Sequence, residues 1–338
     1  MNVNRPKRAG RMFLFLVVFH LAGIYALRYL VPREAFPMWV WMMMGEIMLL
    51  VPALIVMLVR RESPFRVFPF RLLPVSSLLL LLAYAICLMP GVSLLNMLSM
   101  LVAPNAAADA MGTVLGYPLP AALMMIAVAP AVVEETMFRG MLYGDLRRER
   151  IWPAVFLSGV FFGVMHMNFN QFCYATAMGI AFALLAEATG TILAPMLVHA
   201  FYNGQSTVLA WILEKASGEV PAGIGEGQTL IDYIREAMNE AGAGTDGAAV
   251  VTGFVVSAIL LLALAFVGIA LARVILLALA RRAGRGAHMA VLFKKEERRR
   301  LDAMRTPAPR SVWTWEAAAA VVIGGAYILL DTIFPGLL

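Results

Sequence analysis

Nine apolar runs, most of them long enough to cross a bilayer as a helix, restrict this chain more than any other feature in it. They cover approximately residues 12–31, 38–59, 72–102, 119–144, 152–168, 171–188, 191–213, 248–280 and 313–335. Within hydrocarbon every backbone N–H and C=O must find a partner inside the protein, which favours helices for runs of this length. The expected fold is all-α: a polytopic membrane protein with eight or nine transmembrane helices in one bundle. Composition agrees, because 62% of the 338 residues are hydrophobic, against about 45–50% in soluble domains. The third run is too long for one straight span, and Pro90-Gly91 is expected to kink or break it. The fifth and sixth are short and meet at a polar turn around Asn168, Asn170 and Gln171.

Charge supports this reading. With residues 1–11 taken as the cytoplasmic flank of an uncleaved first helix, every even-numbered helix returns to the same side. That side then receives the stretches 60–71, 145–150 and 281–310, and with them 21 of the 27 Lys and Arg side chains. Such asymmetry is the positive-inside rule, and it points to the cytoplasmic (inner) membrane with a cytoplasmic N-terminus. It also accounts for the net charge of +6 without a nucleic-acid partner. The run 294–300 is read as a solvated loop touching anionic lipid headgroups. Cys87 and Cys173 read as small buried hydrophobes, not as a disulfide framework. The organisation expected is N-terminal helices over 1–117, site-bearing helices over 118–213, an extracytoplasmic loop with an amphipathic helix over 214–247, and C-terminal helices with a basic cytoplasmic loop over 248–338.

The fourth run contains Glu134, Glu135 and Arg139. Each charge at the bilayer centre costs roughly 2.5–3.5 kcal/mol on insertion scales, so three together require a function. Glu134 lies about 15 Å from the basic end of its helix, too deep for a short side chain to reach water. Glu135 and Arg139 are four apart and can pair on one face, which leaves Glu134 freer to act as a base. The fifth run ends with Phe162 and His166 and the seventh carries His199 and Asn203, each pair four apart. Helical rise puts both histidines and the asparagine near the level of Glu134, roughly 12–21 Å from the cytoplasmic ends. Amide hydrolysis needs an activated water and donors for the developing oxyanion. Glu134 can take the water's proton, His166 can orient that water or protonate the leaving amine, and His199 and Asn203 can hold the oxyanion. Alternatively Glu134, His166 and His199 could bind a zinc ion, although the H-E-x-x-H spacing is absent. His20 and His288 have no such company and read as structural or solvated. Glu187 and Glu316 lie near run ends and read as interfacial; Glu46 is central, and either lines the cavity or makes a structural hydrogen bond.

The three segments EETMFR, FGVMH and HAFYN resemble the motifs of the CAAX prenyl protease and bacteriocin-processing family of membrane endopeptidases, CPBP or Abi. The resemblance covers about residues 118–213 and leaves 248–338 unexplained. It implies an intramembrane helical fold hydrolysing a peptide bond in a cavity open to the cytoplasm. Glu134, His166, His199 and Asn203 would be catalytic, supported by Glu135, Arg139 and Phe162, with either zinc or no metal. The substrate implied is a peptide or protein, with or without a lipid modification, met among membrane lipids. Two rivals stand beside it: a proton- or ion-coupled transporter, which would carry inverted repeats and matched helix breaks, and a catalytically silent immunity or scaffold protein.

Overall fold

The computed structural model describes residues 4–105, 113–217, 228–240, 245–304 and 308–334. Each of the nine apolar runs forms a helix, and no strand occurs among the described residues. In chain order they are α1 (Arg5–Leu30), α2 (Met38–Arg60), α3 (Val75–Ser99), α4 (Leu119–Leu146), α5 (Ile151–Met165), α6 (Phe169–Thr189), α7 (Leu193–Ser217), a short α8 (Leu230–Glu240), α9 (Thr245–Arg282), two short helices α10 (Gly286–Phe293) and α11 (Lys295–Ala303), and α12 (Trp315–Ile333). Among the described residues, seven helices are long and apolar enough to cross a membrane. The other two candidates fall short for different reasons. At 15 residues α5 spans only about 22 Å, and α7 is diluted by His199, Asn203, Gln205 and Ser206.

Burial separates the centre of the bundle from its rim. In the apolar window of α6, 61% of residues are buried, against 11% in α9. The centre is the α5–α6 hairpin, and glycines set its close packing. Gly159 and Gly163 form a small-x-x-x-small face on α5. A Cβ at Gly159 would lie 2.8 Å from the Thr176 carbonyl oxygen; one at Gly163 would collide with Thr176 Oγ1; one at Gly179 would lie 2.8 Å from the Gly159 Cα. The hairpin turns through Met167, whose φ of 51° is a strained left-handed conformation for a long side chain. Asn168 then caps α6, its side chain accepting from Gln171 N at 3.0 Å.

Of the kink or break expected at Pro90-Gly91, the break does not occur: α3 is helical from Val75 to Ser99. Its neighbour α9 lies so close that a Cβ at Gly268 would collide with the Cys87 carbonyl oxygen. Such packing is how membrane helices tolerate an interior proline. The basic stretch after α9 forms α10 and α11. The run 294–300, read as solvated, falls in this stretch and is mostly exposed, while α10 packs on α5, where Trp152 Nε1 donates to the Leu292 carbonyl at 2.8 Å.

Glu187 and Glu316, near helix ends, are enclosed by protein. Glu187 accepts from Tyr143 Oη at 2.9 Å, Arg147 Nη2 at 2.7 Å, His288 Nε2 at 2.8 Å and Arg285 Nη2 at 3.3 Å. Glu316 pairs with Arg11 at 3.1 Å. Asp145 receives Arg8, with Arg5 at 3.4 Å and Arg60 at 3.9 Å. These three acids draw cations from all four basic stretches to one end of the bundle. Within 214–247, α8 is capped by Thr229 and Asp232, whose side chains meet at 2.6 Å. Leu230 is buried and Ile234 half-buried; residues 218–227 and 241–244 lie outside the described residues.

The hairpin packing predicts a contrast between two glycines. Gly163→Leu should lower the thermal unfolding midpoint in detergent, at a cost of about 1–3 kcal/mol from overpacking. Gly325→Leu, where nothing lies within 4 Å of the added carbon, should leave it unchanged. Equal shifts would count against this packing.

Candidate active site

Three helices, α4, α5 and α7, deliver the site residues singled out above. On α4 the backbone widens into π-helical turns at Met124–Val128 and Thr136–Tyr143, on either side of the α-helical turn Ala129–Glu135 that carries both glutamates. Such turns re-aim side chains relative to a regular helix and are frequent at functional sites. Pro130 lies in the middle of this region and has no N–H to offer the Ile126 carbonyl, four residues earlier. That carbonyl accepts from Asn203 Nδ2 on α7 at 3.1 Å, so a gap in one helix's bonding becomes an anchor for the next.

Arg139 is fully enclosed, with no solvent-accessible surface. Its Nη1 lies 2.9 Å from Glu135 Oε1, and its Nη2 donates to the Gly179 carbonyl of α6 at 3.0 Å. A Cβ at position 179 would sit 3.2 Å from that Nη2, so glycine keeps this approach open. The guanidinium lies 4.4 Å from the Phe162 ring centroid and 5.2 Å from that of Phe182, a desolvated cation–π arrangement. Glu135 Oε1 also meets His199 Nδ1 at 3.1 Å. A carboxylate accepts only, so Nδ1 carries the proton and Nε2 is left with a lone pair. Asn203 Nδ2 lies 3.2 Å from that Nε2 and donates to it. The His199 ring stacks on Phe182, with centroids 5.2 Å apart.

Glu134 points elsewhere. Its Oε2 is 3.9 Å from His199 Nε2, beyond hydrogen-bond range, and the Ala129–Glu135 turn that carries it packs against α2, the helix of Glu46. His166, at the C-terminal end of α5, uses Nδ1 toward its own Phe162 carbonyl at 2.8 Å, which leaves Nε2 for another partner. The Phe162 ring lies 5.0 Å from that of His166 and 5.7 Å from that of His199. Glu135, Arg139, Phe162, His199 and Asn203 therefore form one connected network, with Glu134 at its edge.

As arranged, Glu134, His166 and His199 do not make a zinc ligand set. Both His199 nitrogens are engaged, and among the described residues no three His, Cys, Asp or Glu side chains converge as metal ligands do. An apolar groove of about 630 Å³ flanks the Asn203–Ile126 contact between α4 and α7, lined by Leu123, Ala127, Leu197, Phe201, Gly204 and Val208 among others.

Two neighbours of the site come from helices that carry no motif. Glu46 is one. His20 on α1 is the other: it lies close enough to His166 to act on it electrostatically, and its Nδ1 is buried with no hydrogen-bond partner among the described residues. A mid-span position was the only sequence signal for either residue.

Removing Arg139 alone should leave the Glu135 charge buried and uncompensated. Arg139→Met is expected to cost about 3–5 kcal/mol, while the double variant Glu135→Gln/Arg139→Met should recover part of that. Strictly additive losses in thermal unfolding would show that the two side chains do not pair.

Residues 115–205 match the family described as type II CAAX prenyl endopeptidase Rce1-like. The chain is also similar to "Putative membrane peptidase YdiL" of Bacillus subtilis (strain 168), at 29% identity over 86 residues, which is 25% of this chain and 35% of the relative. The chain thus matches about a third of the length of that curated relative. No solved structure matches it. All three motifs lie in order inside the matched segment, and Glu135, Arg139, Phe162, His199 and Asn203 meet there in one network; over that segment the chain is similar to the type II CAAX prenyl endopeptidase family.

Proposed function

We propose that this protein is an intramembrane endopeptidase that hydrolyses a peptide bond with water activated by Glu134. The observation that carries the reading is the state of Glu134. It is a buried carboxyl inside a membrane bundle, its Oε2 unclaimed by any N–H group described and 3.9 Å from His199 Nε2. Glu135, one residue away, is bound through Oε1 by both Arg139 and His199 and serves as the support.

In this mechanism Glu134 takes a proton from water as the water oxygen bonds to the carbonyl carbon. His166, through its uncommitted Nε2, orients that water. The charge that develops on the carbonyl oxygen is held by the Asn203 amide, which His199 Nε2 orients. At rest Asn203 shares its amide between Ile126 and His199; bound substrate takes over the second of these contacts. The proton then passes to the leaving nitrogen as the C–N bond breaks. The His199 geometry supports a mechanism without a metal ion, since a zinc ligand role would require it to release Asn203 or Glu135. The substrate is a peptide or protein segment at the membrane, and the apolar groove beside Asn203 suits one carrying a lipid or an apolar side chain. Gathering of the basic ends at one pole supports a cytoplasmic N-terminus in the inner membrane.

Glu134→Gln should insert and fold normally yet lose about 10²- to 10⁴-fold in turnover, measured by mass spectrometry of peptides incubated with reconstituted protein. Wild-type turnover by that variant would remove Glu134 from the mechanism. Dialysis against a strong chelator should leave the rate of the wild type unchanged; loss of activity restored by added zinc would overturn the metal-free reading.

A further inference from the structure

The basic pole holds a cleft between the ends of α1, α2 and α4. Arg5 and Arg8 reach it from α1, Arg60 from α2, Arg66 from the connection after α2, and Arg148 from just beyond α4. Two acids, Glu62 and Asp145, face these five arginines, which leaves an excess of three positive charges in the lining.

The arginines are unevenly satisfied. Arg8 takes both oxygens of Asp145, with Nε 2.6 Å from Oδ2, and its Nη1 meets Glu62 Oε2 at 3.0 Å. Arg5 reaches Asp145 at 3.4 Å. Arg60 is placed differently. Its nearest acid oxygen among the described residues is Asp145 Oδ2 at 3.9 Å, beyond hydrogen-bond range and already held by Arg8. Yet the Arg60 side chain is only 23% exposed, so bulk water reaches little of it. Arg66 Nη1 stands 3.7 Å from Glu62 Oε1, again too far for a hydrogen bond. A guanidinium carries five N–H donors in a rigid fork, and sheltering them without acceptors is costly.

Arginine forks match the paired oxygens of a phosphate. The free volume of the cleft, about 30 Å³, admits roughly two water-sized oxygens. A phosphodiester presents that many unsubstituted oxygens. The surroundings favour a lipid as its source. On α2, Val51, Leu54, Ile55 and Leu58 lie at helical spacing and are all exposed, and this apolar stripe runs up to the turn that bears Arg60. Met57 of the same turn forms part of the cleft wall. Acyl chains can lie along such a stripe, whereas a soluble phosphate has no use for it. Basic pockets between helices at this level suit anionic headgroups.

We propose that this cleft binds the phosphate of an anionic lipid headgroup, with Arg60 and Arg66 as its donors and the acyl chains along the exposed stripe of α2. The lipid then fastens the ends of α1, α2 and α4 together. Binding is non-covalent and independent of the peptide hydrolysis proposed above. It is also distinct from the run 294–300, which lies on and just before α11.

The test is native mass spectrometry of the full-length protein in detergent, with dioleoylphosphatidylglycerol as probe and dioleoylphosphatidylcholine as the zwitterionic comparison. The wild type should retain phosphatidylglycerol about 10-fold more tightly than phosphatidylcholine. Arg60→Gln/Arg66→Gln should weaken the phosphatidylglycerol Kd about 10-fold or more, since two charge-assisted contacts are lost. Its unfolding midpoint in lipid-free detergent should match wild type, because neither arginine makes a hydrogen bond shorter than these distances within the protein. Should that variant unfold early, Arg60→Lys decides: it keeps the charge, loses the fork, and should weaken binding about threefold. Arg299→Gln/Arg300→Gln, on the exposed part of α11, should bind as wild type. Wild-type affinity in both Arg60 variants, equal retention of the two lipids, or a loss confined to the α11 variant would each overturn the proposal. Displacement of the lipid by millimolar inorganic phosphate would assign the cleft to a soluble phosphate and overturn the lipid source.

Discussion

One enclosed guanidinium organises the centre of this molecule. Arg139 has no exposed surface, and a cation in that setting persists only when charge and hydrogen bonds surround it. Glu135 supplies the charge, the Gly179 carbonyl supplies an acceptor, and the Phe162 and Phe182 rings cover the faces. These partners come from α4, α5 and α6, so neutralising one arginine fixes three helices against each other. The fourth follows, because Glu135 holds His199 on α7 with the same oxygen that meets Arg139. The glycines of the α5–α6 hairpin belong to this logic as well, since only a bare backbone at Gly179 brings its carbonyl within reach of the guanidinium.

Much of this could be read from the residues in order. Apolar runs place the nine helices to within a few residues, and the four-residue spacing of Glu135 and Arg139 anticipates their 2.9 Å contact. What stayed hidden depends on contacts between distant segments. That Glu135, and not Glu134, would hold His199 follows from how α4 and α7 are rotated, and no local spacing encodes that. Likewise the docking of α2, which carries Glu46, against the Ala129–Glu135 turn has no mark in the sequence around Glu46. Pro90 leaves α3 unbroken, with α9 packed closely against it. In the basic stretch after α9, nothing local marks Arg285 and His288 as the residues that close on Glu187.

Acids at the basic pole do more than balance charge. Asp145 ends α4 and collects Arg5, Arg8 and Arg60, so the first two helices are fastened to the site-bearing one. Glu187 ends α6 and is met by Arg147 and by the segment following α9. Glu316 joins α12 to α1. Thus α1, α2 and the segment after α9 are locked by ion pairs to the ends of the matched segment, and α12 is locked to α1.

The missing amide hydrogen at Pro130 has a wider meaning for how such a bundle can change. A residue usually regarded as a fault in a helix here serves as a registration mark, because it leaves the Ile126 oxygen for the Asn203 side chain. Ile126 and Asn203 are 77 residues apart in sequence but constitute one joint. Transplanting either onto another scaffold without its counterpart would leave an idle acceptor or an unanchored amide, so the pair is best regarded as a single heritable part.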